Sequence, residues 1–168
     1  MPRVYILCGL PFAGKTTLAS ALAQHLDLPR VSIDEINGER GLGFDNAPIA
    51  SEDWDITYAE SYRQLDKHLR AGCSVIYDAA NFTPAERDKA RAVAVQSGSD
   101  TCVIYVTTPE PLVRQRWLLN RLTHKRNDIR DDYFANVITQ FEPPMEDENV
   151  LHYSNEQGVN EWIEQSSL

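Results

Sequence analysis

Apolar residues recur along this chain at two spacings, and the switch between them divides it into alternating strands and helices. Val4-Tyr5-Ile6-Leu7-Cys8, Ser74-Val75-Ile76-Tyr77 and Cys102-Val103-Ile104-Tyr105-Val106 are short runs, apolar on both faces and rich in β-branched and aromatic residues. That is the pattern of strands buried on both sides in a parallel sheet. Val31-Ser32-Ile33 and Val150-Leu151-His152-Tyr153 complete a set of five. Between the strands the period lengthens to that of a helix. Leu18, Leu22 and Leu26 fall at steps of four within 16–26. Trp54, Tyr58, Tyr62, Leu65 and Leu69 line one face of 51–71, with Ser51 placed to cap and Gly72 to stop the helix. Thr83-Pro84-Ala85-Glu86 offers a cap, a first-turn proline and a capping-box glutamate for a helix ending near Gly98. Further helices are expected from Thr108-Pro109, with Val113 and Trp117 on one face, over 130–141, and after the last strand, bearing Val159, Trp162 and Ile163.

Strands alternating with helices predict an α/β fold, a parallel sheet covered on both faces by right-handed crossovers. Ligands of such sheets bind beyond the carboxyl ends of the strands. The 168 residues suit a single domain spanning 1–168. The stretch from Asn37 to Ala50 shows no period and holds Gly38, Gly41, Gly43 and Pro48. It reads either as a substrate loop or as a plain surface connection.

Composition then narrows the class. A hydrophobic fraction of 42% with 24% charged residues is that of a folded soluble protein. No apolar run approaches the roughly 20 residues that span a bilayer, and Met1-Pro2-Arg3-Val4 lacks the layout of a secretory signal. A cytoplasmic protein without a membrane partner is expected. Cys8, Cys73 and Cys102 are far apart and in or beside apolar runs, so buried thiols are expected rather than disulfides or a zinc site. A net charge of −9 disfavours long nucleic acid, whose binding draws on many Lys and Arg contacts to phosphate. A small substrate fits better.

The chemistry is concentrated in Gly9-Leu10-Pro11-Phe12-Ala13-Gly14-Lys15-Thr16, placed between a buried strand and an amphipathic helix. Gly9 and Gly14 let backbone N–H groups converge on an anion, and the helix opening near Lys15 adds its positive end. Lys15 brings a full charge to the β and γ oxygens of a nucleotide, and the Thr16 hydroxyl can ligate magnesium. ATP and Mg2+ are therefore the expected cofactors. Asp34 and Asp78 each follow a predicted strand, on the rim where the phosphates would lie. One carboxylate there can take a proton from an attacking hydroxyl and the other can order magnesium, and the two can exchange roles. Arg114, Arg116, Arg121, Arg126 and Arg130 recur along one helix and its continuation, where one or two can cover a transferred phosphoryl group. The remainder read as surface charges paired with Asp128, Asp131 and Asp132.

Gly9 to Thr17, Ser32-Ile33-Asp34, Asp78-Ala79-Ala80-Asn81 followed by Arg87 and Arg91, the 116–126 stretch and Phe141-Glu142-Pro143-Pro144 together resemble the small P-loop kinases. These include the kinase domain of polynucleotide kinase, zeta-toxin kinases, chloramphenicol phosphotransferase and many uncharacterised kinases. The resemblance implies a three-layer α/β/α P-loop NTPase fold with strand order 2-3-1-4-5 and a small helical lid near 120–132. By the same resemblance Pro11, Phe12, Ala13, Thr17 and Arg116 join Gly9, Gly14, Lys15 and Thr16 at the nucleotide, and Asp78 joins Thr16 at the metal. Asp34 matches the general base, and Arg121 or Arg126 the lid arginine. The expected reaction is transfer of the γ-phosphoryl group of ATP to a hydroxyl of a small molecule. A polynucleotide or nucleotide 5′-hydroxyl kinase, a toxin kinase acting on a nucleotide sugar, and a nucleotide-binding switch are the alternatives. The sequence contains no Asn-Lys-x-Asp element of the kind that selects guanine.

Overall fold

Each of the five apolar runs forms a strand: β1 (Arg3–Cys8), β2 (Arg30–Ser32), β3 (Val75–Asp78), β4 (Asp100–Val106) and β5 (Val150–Tyr153). They appear in a computed structural model that describes residues 1–43, 47–125, 128–166 and 168. All pair in parallel, in the order β2-β3-β1-β4-β5. The order and the three-layer architecture are those the resemblance implies. Because β1 lies at the centre and Ser32 pairs with Asp78, the carboxyl ends of β1, β2 and β3 open side by side.

The helices are α1 (Lys15–Leu26), α2 (Ile33–Glu39), α3 (Ser51–Arg70), α4 (Pro84–Gln96), α5 (Glu110–Thr123), α6 (Asp131–Gln140) and α7 (Val159–Gln165). Side chains of β1 alternate between two cores, as a strand buried on both faces requires. Tyr5 and Leu7 join Leu18, Leu22, Trp117 and Trp162 on one face. Val4, Ile6 and Cys8 join Leu65, Leu69, Ala90 and Ala94 on the other. Each fully buried leucine of these layers stabilises the fold by about 2 kcal/mol. No helix among the described residues is long and apolar enough to cross a membrane.

Local chemistry sets the boundaries, and in three places it departs from the sequence reading. The strand expected through Ile33 ends at Ser32, whose hydroxyl accepts the Glu35 N–H at 3.4 Å and caps α2. The stretch from Asn37 to Ala50 is therefore helical as far as Glu39. Ser51 is not a cap but the first helical residue, after Ala50. Cys8 and Cys102 are buried thiols, whereas Cys73 is exposed beyond the end of α3. The capping box of α4 forms as expected: Thr83 Oγ1 accepts from Glu86 N at 3.3 Å and Glu86 Oε2 accepts from Thr83 N at 2.9 Å.

One ion pair ties the far end of the chain to the centre. Arg87, fully buried on α4, donates Nε and Nη2 to Glu148 at 2.7 and 2.8 Å, and Nη1 to the carbonyls of Asn81 and Glu142 at 3.2 and 3.0 Å. Arg91 also reaches Glu148. Burial by itself would push the Glu148 carboxyl up, but the two guanidiniums and the Met145 N–H outweigh it and hold it at about 2. This folded value lies below the ordinary 4.5, so the unfolded chain binds the proton more readily. The stabilisation is thus complete above pH 4.5 and is lost as pH falls through about 2. The wild type is expected to lose about 3 kcal/mol more than a Glu148→Gln variant when urea unfolding at pH 5 is compared with pH 2. Parallel pH profiles for the two proteins would remove Glu148 from the acid response.

Candidate functional site

The loop between β1 and α1 can be made only with glycine at its two ends. Gly9 has φ 149°, and a Cβ there would lie 2.9 Å from the Val106 carbonyl oxygen. Gly14 has φ 104° and precedes the first residue of α1, where a Cβ would meet Asn155 Oδ1 at 3.3 Å. Phe12 between them takes a positive φ of 61°. No acidic residue stands in the first turn of α1, so nothing there offsets its positive end.

The back of the loop is clamped by donors from three separate segments. Thr108 Oγ1 donates to the Ala13 carbonyl at 2.7 Å, Asn155 Nδ2 to the same oxygen at 3.1 Å, and Arg116 Nη1 to the Phe12 and Ala13 carbonyls at 3.1 and 3.2 Å. On the inner side Lys15 Nζ donates to the carbonyls of Gly9 and Leu10 at 2.8 and 3.0 Å and lies over the Phe82 ring, 5.3 Å from its centre.

Asp78, the last residue of β3, is buried beside this lysine. Its Oδ1 stands 3.5 Å from Thr16 Oγ1 and its Oδ2 3.2 Å from Arg30 Nη1, which also bonds Glu35 through its second nitrogen. Burial pushes the Asp78 carboxyl above its ordinary range, while Lys15, Thr16 and Arg30 pull it down and Asp34 adds repulsion. Asp34 lies in the first turn of α2 rather than at a strand end. Helix and strand meet so closely at Ser32 that it still reaches the rim.

A cleft of about 1560 Å³ joins these groups. Pro11, Phe12, Gly14, Lys15, Thr16, Asp34 and Asp78 line it; Gly9, Ala13, Thr17 and Arg116 do not. Thr17 is exposed on α1, and Arg116 meets the loop from behind.

The basic side of the cleft differs from the sequence expectation. Arg121 lies 4.3 Å above the Trp117 ring and is paired with Asp128 and Asp131. It holds the α5–α6 connection instead of lining the cleft. Trp117 in turn stacks on Phe134 at 4.1 Å and donates Nε1 to the Ile129 carbonyl at 2.9 Å. Lys125 and Arg130 are the cations from this segment that line the cleft among the described residues. Arg126, expected as a lid residue, lies outside them. Sequence reasoning missed Arg30, Asn37, Thr108 and Asn155. It placed Asn81 within a motif without giving it a role; the residue donates Nδ2 to the Leu7 carbonyl at 2.9 Å from a left-handed backbone, φ 53°. The alternation of Ser32 with Arg30, both on the rim strand, was the one available signal for Arg30.

A family model described as an AAA domain, AAA_33, matches residues 4–144. Among solved structures, Kti12 from Chaetomium thermophilum in complex with ADP-AlF3 superposes with a TM-score of 0.77 at 18% identity, covering 99% of this chain and 97% of that one. An unliganded sugar kinase from Janibacter gives 0.68 at 19% identity, covering 99% and 92%. The APS kinase of Mycobacterium tuberculosis, in complex with AMPPNP and APS, gives 0.63 at 15%, covering 99% and 95%. At such identities the likeness shows the fold alone, that of an α/β P-loop NTPase. No curated protein sequence matches the chain.

Proposed function

We propose, because this chain belongs to the AAA_33 family of AAA domains that its residues 4–144 match, that it is an ATP-dependent kinase acting on a hydroxyl of a small molecule. One observation carries the reading: a single cleft gathers Lys15, Thr16, Asp34 and Asp78 at the carboxyl ends of three neighbouring strands. A phosphate-binding loop alone would serve a switch equally well. A carboxylate on the opposite wall, placed to receive a proton, is what a transfer reaction needs in addition.

In this reading the N–H groups of residues 14–16 and the positive end of α1 hold the triphosphate, while the Ala13 N–H closes the loop on the Leu10 carbonyl at 3.1 Å. Thr108, Arg116 and Asn155 draw the Ala13 carbonyl outward, which keeps a negative dipole out of the cradle. Lys15 exchanges its two carbonyl partners for the β and γ oxygens. The Thr16 hydroxyl and the Asp78 carboxylate are hard oxygen donors on one side of the loop and suit magnesium. That ion, when bound, supplies positive charge to the phosphate oxygens. Arg30 orients Asp78. Asp34 takes the proton of the acceptor hydroxyl as its oxygen bonds to the γ-phosphorus and the bond to ADP breaks. Lys125 and Arg130 approach from the facing segment, and Arg121 holds that segment in place. A lid role for Arg121 itself requires it to leave Asp128 and Asp131. The free thiols suit a reducing compartment such as the cytoplasm.

Incubation with γ-labelled ATP, magnesium and a panel of alcohols is expected to place label in an organic phosphate ester, with turnover on the order of 1–100 per second for the true acceptor. Release of label only as inorganic phosphate, at one rate with and without alcohols, would replace the kinase with a nucleotide hydrolase.

A further inference from the structure

We propose that Asn37 selects the acceptor, and that the acceptor is a hydroxyl compound without negative charge which offers an oxygen lone pair to the Asn37 side-chain amide. This rests on the kinase reading above and specifies its substrate class. Asn37 follows Asp34 by three residues on α2, so the two side chains share a helix face. Both line the cleft.

A short buried relay fixes which end of the amide faces outward. Arg40 Nη1 donates to Thr57 Oγ1 at 2.6 Å, and Thr57 Oγ1 meets Asn37 Oδ1 at 2.6 Å. A guanidinium can only donate. With Arg40 occupying one of its lone pairs, the Thr57 hydroxyl directs its proton to Asn37 and requires an acceptor there. Asn37 therefore turns Oδ1 inward, and its NH2 group, two donors, is left for the cleft. Arg40 is itself held by the Asp53 carbonyl and carboxylate at 2.6 and 2.7 Å. Thr57 is fully buried and Asn37 is 4% exposed, so the relay is well defined. A compound that presents a lone pair satisfies the amide; one that presents only apolar surface leaves it unpaired.

Charge on the α2 side of the cleft disfavours the anionic alternatives, the facing Lys125 and Arg130 serving the nucleotide phosphates in the kinase reading. Among the described residues of 33–57 the charged side chain that lines the cleft is the Asp34 carboxylate, and Arg40, the one cation of that stretch, is engaged with Asp53 and Thr57. Among the described residues of this stretch no cation lines the cleft. A carboxylate or phosphate on the acceptor would meet repulsion here, and like-charge contact is an efficient way to reject a competitor. Pro48, Ile49 and Trp54 on the same wall offer apolar surface to a sugar or ring face.

The test compares label transfer from ATP into two sets of alcohols. One holds nucleosides, free sugars and aminoglycosides; the other holds sugar acids, sugar phosphates and 3′-phosphorylated nucleosides. Transfer is expected only into the first set. Asn37→Asp should then raise the KM of the labelled acceptor by about tenfold or more, with the KM for ATP unchanged. Thr57→Val, which loosens the amide without touching the cleft, should raise the acceptor KM severalfold, again without effect on ATP. Transfer into the anionic set, or an acceptor KM indifferent to both substitutions, overturns the inference and leaves the kinase reading standing. Transfer into neither set overturns both.

Discussion

Lys15→Ala is expected to lower the calorimetric affinity for ATP by about a hundredfold or more. The ammonium rests on the Gly9 and Leu10 carbonyls, 2.8 and 3.0 Å away, and so already lies at the mouth of the anion cradle. Moving from two neutral carbonyls to the β and γ oxygens turns ordinary hydrogen bonds into charge-assisted ones, roughly doubling their strength. Its loss also acts on the neighbouring carboxylate. Lys15 is among the charges that draw the buried Asp78 carboxyl down against the effect of burial, so in the alanine variant that carboxyl rises further and is a poorer metal ligand near neutral pH. Both consequences weaken magnesium-ATP, whereas the contacts with Gly9, Leu10 and the Phe82 ring lie at a half-buried surface. A folded Lys15→Ala protein with near-normal affinity for ATP would remove the basis of the nucleotide assignment.

The phosphate loop was legible in the sequence because everything it needs is local. Two glycines, a lysine and a threonine at fixed spacing, with a strand before and a helix after, are all contained between residues 4 and 26. The strands were legible for the same reason: β1, β3 and β4, buried in the sheet, announce themselves in runs of four to seven residues. α2 was not, since its seven residues are too few to display a period and β-branched Ile33 prolongs the appearance of a strand. The Ser32 cap decides the matter through a single hydrogen bond.

Long-range partners were hidden for a different physical reason. Arg87 and Glu148 are separated by 61 positions, and nothing in the local pattern of either residue says that it is paired. The sequence reading placed Arg116 at the nucleotide; its clamp on the outer face of the loop, 104 positions away, was not legible. The arginine series along α5 illustrates the limit most clearly. Its spacing shows that the residues lie on one helix. Which of them turns toward the phosphates depends on Trp117, Phe134 and the aspartates of the α5–α6 connection, and these hold Arg121 away from the cleft.

Asp34→Asn is expected to leave ATP affinity unchanged and to lower turnover by about a hundredfold to ten-thousandfold. The substitution keeps the shape of the side chain but replaces a basic carboxylate with a non-basic amide, which cannot take a proton in the role proposed for Asp34. Its structural cost is small: Asp34 is exposed in the first turn of α2, where loss of a negative charge from the helix N-terminus is worth about 0.3–1 kcal/mol. Asp78→Asn should behave differently, because Asp78 is buried between Thr16 and Arg30. There the first effect is a higher magnesium requirement for nucleotide binding, followed by loss of stability as Arg30 is left with Glu35 alone. The pair of variants therefore separates two carboxylates that the sequence left interchangeable. Should Asp34→Asn instead raise the magnesium requirement while Asp78→Asn loses turnover at full ATP affinity, the base would be the buried aspartate.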